Sequence, residues 1–490
     1  MGLKNAGLFD ISPSGSETLA GSFDPSMSLA VPLWVVTLPG GSPRRLGDLV
    51  AQDAAWFPDG QWIVYGSESD LYVSRRDGSQ ARKVLAAAGR VWWPRVSPDG
   101  GRIRFTAADP STGVRSLWEV SIDGKNPHPL LPDWNLPPSE CCGNWTPDGR
   151  YYVFQSTRNG RTDIWALRDE RPFLRKPDRE PVQLTTGPLN YWAPLPSRDG
   201  KRLYVVGEQP RGELVRYDAK LRQNVPYLSG LSVEHVRFSR DGAWAAYVAF
   251  PEGTLWRSKL DGSERLQLTF PPMLAALPHW SPDGKHVAFA GAEIGQPWRI
   301  YLVSADGGTP ESVVPQEANR NDPDWLPDGN SLIYGDVLTS PAAITGIHLL
   351  DLRSHQVSML PGSEGLWAPR VSPDGRYLVS QSRDATRLVL LDLTTHRTTD
   401  LVTGANAGWQ EWSRDSKSVI FVLAERPNSS PRIFRVRIAD RKLEEILSLK
   451  DVPLRAGLFG AWCGVTPDDS PLMLRDAASQ EVYALDVQLP

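Results

Sequence analysis

Apolar and polar positions alternate with period two along most of the chain, in constant phase with a recurring turn. Four and six residues after the Asp of that turn come Ile63 and Tyr65, Ile103 and Phe105, and Tyr152 and Phe154. The same offsets give Leu203 and Val205, Val287 and Phe289, Leu332 and Tyr334, and Val419 and Phe421. Such alternation marks a strand with one buried face. A third strand follows with its own turn: Leu71-Tyr72-Val73 before Asp77-Gly78, Leu117-Trp118 before Asp123-Gly124, Leu255-Trp256 before Asp261-Gly262, and Ile300-Tyr301-Leu302 before Asp306-Gly307. A short outer strand, as in Leu266-Gln267-Leu268-Thr269, ends the unit. Each unit therefore reads as a small four-stranded antiparallel sheet.

The turn itself is an aromatic or branched residue followed by Ser-Pro-Asp-Gly. Its clearest copies are Trp280-Ser281-Pro282-Asp283-Gly284, Val96-Ser97-Pro98-Asp99-Gly100 and Val371-Ser372-Pro373-Asp374-Gly375. Looser copies surround Asp59, Asp148 and Asp328, and Arg replaces Pro in Ser197-Arg198-Asp199, Ser239-Arg240-Asp241 and Ser413-Arg414-Asp415. Degenerate copies stand at Ser12-Pro13-Ser14-Gly15 and Thr466-Pro467-Asp468-Asp469, which makes eleven, about 40 to 53 residues apart. Pro presets the first turn position, Asp caps it, and Gly supplies the positive φ that returns the chain as a hairpin. A fixed period in this range signals a repeat architecture. Four short strands per repeat, repeated radially, describe an all-β fold of tandem β-propellers. Pro94, Pro194, Pro278, Pro323 and Pro369 each lie five residues before the Asp. Pro is tolerated on an edge strand, and the first strand of a blade is the edge that faces the channel.

The spacing divides the repeats four plus seven. Residues 171–180, charged and Pro-containing, read as a linker between an N-terminal four-repeat region (1–170) and a closed seven-bladed propeller (181–490). The last repeat lacks a fourth strand, and Val182-Gln183-Leu184-Thr185 is expected to supply it by pairing with Glu481 to Leu485. The four N-terminal repeats read as a small ring or as an arc of a larger one, with an upstream portion missing.

Composition narrows the classes. The 490 residues carry 53 basic and 57 acidic side chains, a balance that does not mark a general nucleic-acid binder. No apolar run approaches the roughly 18 residues that span a membrane. The N-terminus lacks the basic and apolar segments of a signal peptide, so a cytoplasmic location is expected. Of the three cysteines, Cys141 and Cys142 are adjacent, and they read as two buried thiols rather than a disulfide or redox switch.

The Ser-Pro-Asp-Gly repeats resemble the TolB-type, WD-like β-propeller repeat over nearly the whole chain. Residues 140–149, including Cys141-Cys142-Gly143-Asn144-Trp145, and 154–161 resemble the C-terminal propeller region of acidobacterial proteins. There such a region often follows a winged helix or a serine/threonine kinase domain. The resemblance implies a propeller and a regulatory setting; it carries over no functional residue, and this sequence has neither a winged helix nor a kinase motif.

A search for chemistry finds little local signal. The G-x-S-x-G elbow of propeller-linked α/β-hydrolases is absent. The seven His are scattered, with none of the local spacings that hold a metal, and the turn Asp residues stand one per repeat rather than in a calcium loop. One row stands out, four residues before the turn Asp: Arg237, His279, Asp324, Arg370 and Glu411. It reads as inter-blade ion pairs around the channel or as a polar binding ring at its mouth. Trp145, Trp280, Trp325 and Trp412, next in sequence, read as core between blades. From this we expect a non-enzymatic binding module or scaffold for a protein or peptide partner, without cofactor, metal or nucleic acid, that would serve as the sensory part of a regulatory protein. The alternatives are a small-ligand sensor at the channel mouth and a propeller lyase or hydrolase with catalytic residues from several blades.

Overall fold

A computed structural model describes residues 6–489 apart from 23–29, 110–112, 159, 170–179, 315–318, 338–344, 405 and 425–429. Eleven antiparallel sheets form the blades of two compact units. Unit 1 comprises Met1–Gln209 and Ser479–Pro490, and unit 2 Pro210–Ala478. No helix among the described residues is long and apolar enough to cross a membrane.

Each of the eleven turns joins the first two strands of one blade, so the motif counts the blades as its spacing implies. The turn at 281–284 shows why these residues are used. Gly284 has φ 71° and donates its amide to the Ser281 carbonyl at 2.9 Å. Ser281 Oγ donates to Asp283 Oδ1 at 2.6 Å and accepts the His286 amide at 2.9 Å. Asp283 Oδ1 also accepts the Lys285 amide at 3.0 Å. The side chains thus satisfy the backbone groups that a tight hairpin leaves open.

The grouping is five plus six, not four plus seven. Val182–Gln183 pairs with Trp165 and Ala166 and completes the fourth blade, so no boundary falls at 170. Residues 171–179 of the expected linker lie outside the described residues. The expected clasp between Val182–Thr185 and 481–485 is not formed: Ser479–Asp486 pairs with Arg202–Gln209, as the third strand of the fifth blade. The strands that follow that blade's hairpin, Gly212–Asp218 and Gln223–Pro226, join Pro471–Asp476 and Cys463–Val465 in a sixth blade. Two repeats have therefore exchanged third strands, and unit 2 is inserted within the fifth blade of unit 1. Burial favours the exchange. Leu214 and Val215 are buried on opposite faces of their strand, as a blade with two neighbours requires, whereas Val482 is 74% exposed.

Unit 2 is a closed ring of six blades. Apolar clusters fill each of its junctions, from Leu214 and Tyr247 (sixth and seventh blades) round to Ile420 and Met473 (eleventh and sixth). Four such clusters join the five blades of unit 1. On the fifth blade Leu195, Tyr204 and Val482 are exposed. There the first blade meets the fifth at a turn: Arg198 Nη2 lies 2.9 Å from where a Cβ on Gly15 would stand.

The strand exchange predicts the effect of a truncation. A chain ending at Ala478 should lose hydrogen-exchange protection at Arg202–Gln209 and retain it at Pro471–Asp476. Loss at Pro471–Asp476 instead would restore the grouping read from the sequence.

Candidate functional site

The first strands of the unit 2 blades converge on its channel. Five of the six are bulged: register shifts occur at Glu234/Arg237, Ala276/His279, Asn321/Asp324, Trp367/Arg370 and Gly408/Glu411. At each bulge one residue has positive φ: His235, Leu277, Asp322, Ala368 and Trp409, with φ from 50° to 53°. For L-residues this conformation costs about 1–2 kcal/mol each, and a bulge re-aims the side chain it carries. Three of the five are followed by Pro278, Pro323 and Pro369, so these prolines mark the bulge as well as the edge.

The five residues singled out in sequence are brought together here, two positions after the bulge. Arg237 Nε donates to His279 Nε2 at 3.1 Å, and its Nη2 pairs with Glu411 Oε1. His279 Nδ1 lies 3.0 Å from Asp324 Oδ1. Arg370 Nη2 donates to Asp322 Oδ1 at 2.9 Å and its Nε stands 3.9 Å from Glu411 Oε1. The sixth blade adds nothing, because its equivalent residue is Gly464; Arg237 reaches past it to Glu411. A guanidinium can only donate, so His279 Nε2 is the acceptor and Nδ1 carries the hydrogen. Burial holds His279 down at about 4, so the ring is neutral. Burial alone would raise Asp324, but His279, Arg370 and the Val371 amide together hold it below the usual carboxylate range. Both nitrogens of His279 are committed, which leaves it no free lone pair to take a proton from a nucleophile. The four Trp residues are core, as read from the sequence, and three also staple blades: Trp280, Trp325 and Trp412 donate Nε1 to the carbonyls of Arg237, His279 and Arg370 at 3.1, 3.1 and 2.9 Å.

At one end of the channel a cavity of about 330 Å³ is lined by four of the bulge residues, Leu277, Asp322, Ala368 and Trp409, with Trp367 and Phe459 completing its apolar wall. Of the five ring residues only Arg370 reaches it. Arg237 and Glu411 line a cavity of about 590 Å³ among the turn residues. Arg237, His279 and Asp324 line one of about 200 Å³ there. Asn321 also lines the 330 Å³ cavity; it is 4% exposed, and its Oδ1 has no hydrogen-bond partner among the described residues. Ligand sites combine apolar walls with a few placed polar groups in volumes of this size. Sequence reasoning missed this wall, although its signal was present: every bulge residue lies six positions before the turn Asp, two before the row that was chosen.

Beside the cavity sit two further buried groups. His235 lies tilted at 32° against Trp409 with ring centroids 5.6 Å apart, and burial pushes its pKa down to about 3. Glu234 is 3% exposed with Oε2 unpartnered, and burial raises it to about 7, with the Leu458 amide pulling the other way. In unit 1 the structure bonds Cys141 to Cys142, where two separate thiols were expected. Cys142 is the bulge residue of its strand, φ 61°, so the pair does not point to opposite faces as adjacent strand residues do. Cys463 is free and buried. No group of three or more metal-ligating side chains occurs among the described residues.

Two measurements test these assignments. Glu411→Leu leaves two buried guanidinium groups short of a partner and should lower unfolding stability by about 3–5 kcal/mol in urea titrations. Glu234 keeps its proton in the fold up to about pH 7 but only to its ordinary 4.5 when unfolded. Stability should therefore fall by ~3 kcal/mol as pH rises between those values and stay level above them. Glu234→Gln should abolish that slope in thermal melts recorded from pH 4 to 8.

Known proteins provide the remaining findings. No family model matches the sequence. The chain is 26% identical over 276 residues to Tricorn protease homolog 1 of Streptomyces coelicolor, a match over 52% of this chain and 24% of that protein. It is 28% identical over 293 residues to an uncharacterized protein of Agrobacterium fabrum, covering 57% of this chain and 82% of that one. To Dipeptidyl-peptidase 5 of Aspergillus fumigatus it is 24% identical over 258 residues, covering 45% and 34%. The matches thus span about a quarter and a third of the two named peptidases. These relatives overturn the expectation of a non-enzymatic binding module. That expectation leaned on the missing nucleophile elbow, a motif whose absence says nothing against similarity to peptidases over a propeller segment.

Proposed function

We propose that this chain is the propeller part of a peptide hydrolase and that the channel mouth of unit 2 holds the peptide. Similarity to two named peptidases supports the hydrolase reading. The cavity supports the peptide: Leu277, Trp367 and Trp409 offer apolar contact, and Asn321 Oδ1 offers a buried acceptor that a peptide N–H would satisfy. In this reading the ring has a supporting role. Asp322, which lines the cavity, is held by Arg370, and Arg370 by Glu411; Arg237, His279 and Asp324 complete the frame behind them.

The test is a defined peptide library incubated with the purified protein, followed by mass spectrometry of retained peptides. A subset of peptides should be retained by the propeller. Asn321→Leu should weaken retention about tenfold, the scale of one lost buried hydrogen bond, with the circular dichroism spectrum unchanged. Absence of retention would overturn the proposal. Retention untouched by Asn321→Leu would remove the mouth as the site.

A further inference from the structure

One feature at the mouth belongs to no blade. Ala456–Gly457 and Gly460–Ala461 form a two-stranded hairpin outside the blade sheets, anchored by the Leu458 amide on Glu234 and, at its base, by the Arg455 amide donating to the Leu474 carbonyl at 2.9 Å. Its tip is Leu458-Phe459, with Gly460 at φ 92° returning the chain. Leu458 is 50% exposed, so the hairpin does not exist to bury it. Phe459 points the other way. Its ring centroid lies 5.2 Å from that of Trp298 and 6.3 Å from that of His235, and it lines the 330 Å³ cavity. His235 in turn lies tilted against Trp409 and edge-on to the buried Trp462, centroids 6.3 Å apart. The surface beneath Phe459 is therefore aromatic, and the His235 ring in it is uncharged at neutral pH. The base of the hairpin is seated closely as well: a Cβ on Gly457 would stand 1.9 Å from Glu234 Oε2.

An aromatic side chain on a short loop, packed on an aromatic surface beside an open cavity, shows what that surface accommodates. We infer that Phe459 is a resident occupant of an aromatic subsite formed by Trp298, His235 and Trp409, and that a peptide binds by placing an aromatic side chain there in exchange for Phe459. This inference rests on the peptide-holding reading above and names the side chain that the site selects. Aromatic rings in this arrangement gain edge and offset contacts that an aliphatic or small side chain does not. The Arg370 guanidinium and the Asp322 carboxylate in the cavity wall are paired with each other, so a lysine side chain gains neither an aromatic contact nor a free counter-charge there. An occupant that must leave lowers the apparent affinity by the fraction of time the site is empty. The hairpin then acts on affinity without altering the strand pairing of the blades.

The experiment compares three pentapeptides by calorimetry: alanines with a central phenylalanine, alanines alone, and alanines with a central lysine. They are titrated into the wild type, Phe459→Ala and Phe459→Ala/Trp298→Ala. Because Phe459 is a side chain at the hairpin tip and no blade strand runs through it, Phe459→Ala should leave the melting temperature and circular dichroism near those of the wild type. The phenylalanine peptide should bind Phe459→Ala at least tenfold more tightly than the wild type, and at least tenfold more tightly than either other peptide. Adding Trp298→Ala should remove most of that gain. If Phe459→Ala binds the phenylalanine peptide no better than the wild type does, or binds all three peptides alike, the inference is overturned while the peptide-holding reading stands. If no protein binds any peptide, and library retention is absent too, both fall.

Discussion

A sheet with two apolar faces needs a neighbour on each of them, and the rest of this molecule follows from that requirement. In unit 2 it is met by closing a ring: six apolar clusters fill six junctions. Trp280, Trp325 and Trp412 add indole hydrogen bonds from one blade to the backbone of the blade before. Packing of this kind is non-directional and tolerant of exact residue choice, which is why Ala, Val, Leu and Phe interchange along the buried faces while the turns hold to Ser, Asp and Gly.

Ring closure forces the first strands together at the channel, and there the currency changes from packing to charge. Arg237, Asp324, Arg370 and Glu411, each four positions before a turn Asp, are taken out of water, and they are retained as charged groups because neighbouring blades supply partners. Arg237, Glu411, Arg370 and Asp322 form one run of pairs, and His279 with Asp324 closes it on the other side. Gly464 leaves the one gap, and the length of Arg237 spans it. The result is a rigid frame whose groups are occupied with one another.

Functional geometry arises two residues earlier, at the bulges. A left-handed backbone at Leu277, Asp322, Ala368 and Trp409 is unfavourable locally. It persists because the flanking strand is fixed on both sides by the ladder and by the ion pairs. Its consequence is to turn these side chains out of the strict in-out alternation and toward the channel mouth. The aromatic lining, the unsatisfied Asn321 oxygen and the Phe459 hairpin all meet at that place. Four of the five bulge residues and the unpartnered Asn321 oxygen thus face one ligand-sized cavity.

Much of this was written in the sequence. Turn chemistry is local, so Ser-Pro-Asp-Gly alone located every blade hairpin, and its count of eleven stands. The phase of Val287 and Phe289 or Val419 and Phe421 set which faces are buried, because strand alternation has a fixed period. The row Arg237, His279, Asp324, Arg370 and Glu411 was legible as a ring because a constant offset from a turn fixes a constant height in each blade. Tertiary structure decided the rest. Gly212–Asp218 and Ser479–Asp486 are both alternating third strands, and nothing local says which hairpin each will join. Only the burial available in the closed six-bladed ring does so, and it places the exchange of strands, the five-plus-six division and the insertion of one unit in the other. Likewise the positive φ of Leu277 or Trp409 is no property of those residues. It is imposed by the ladder around them, and with it comes the cavity wall, which sequence alone does not display.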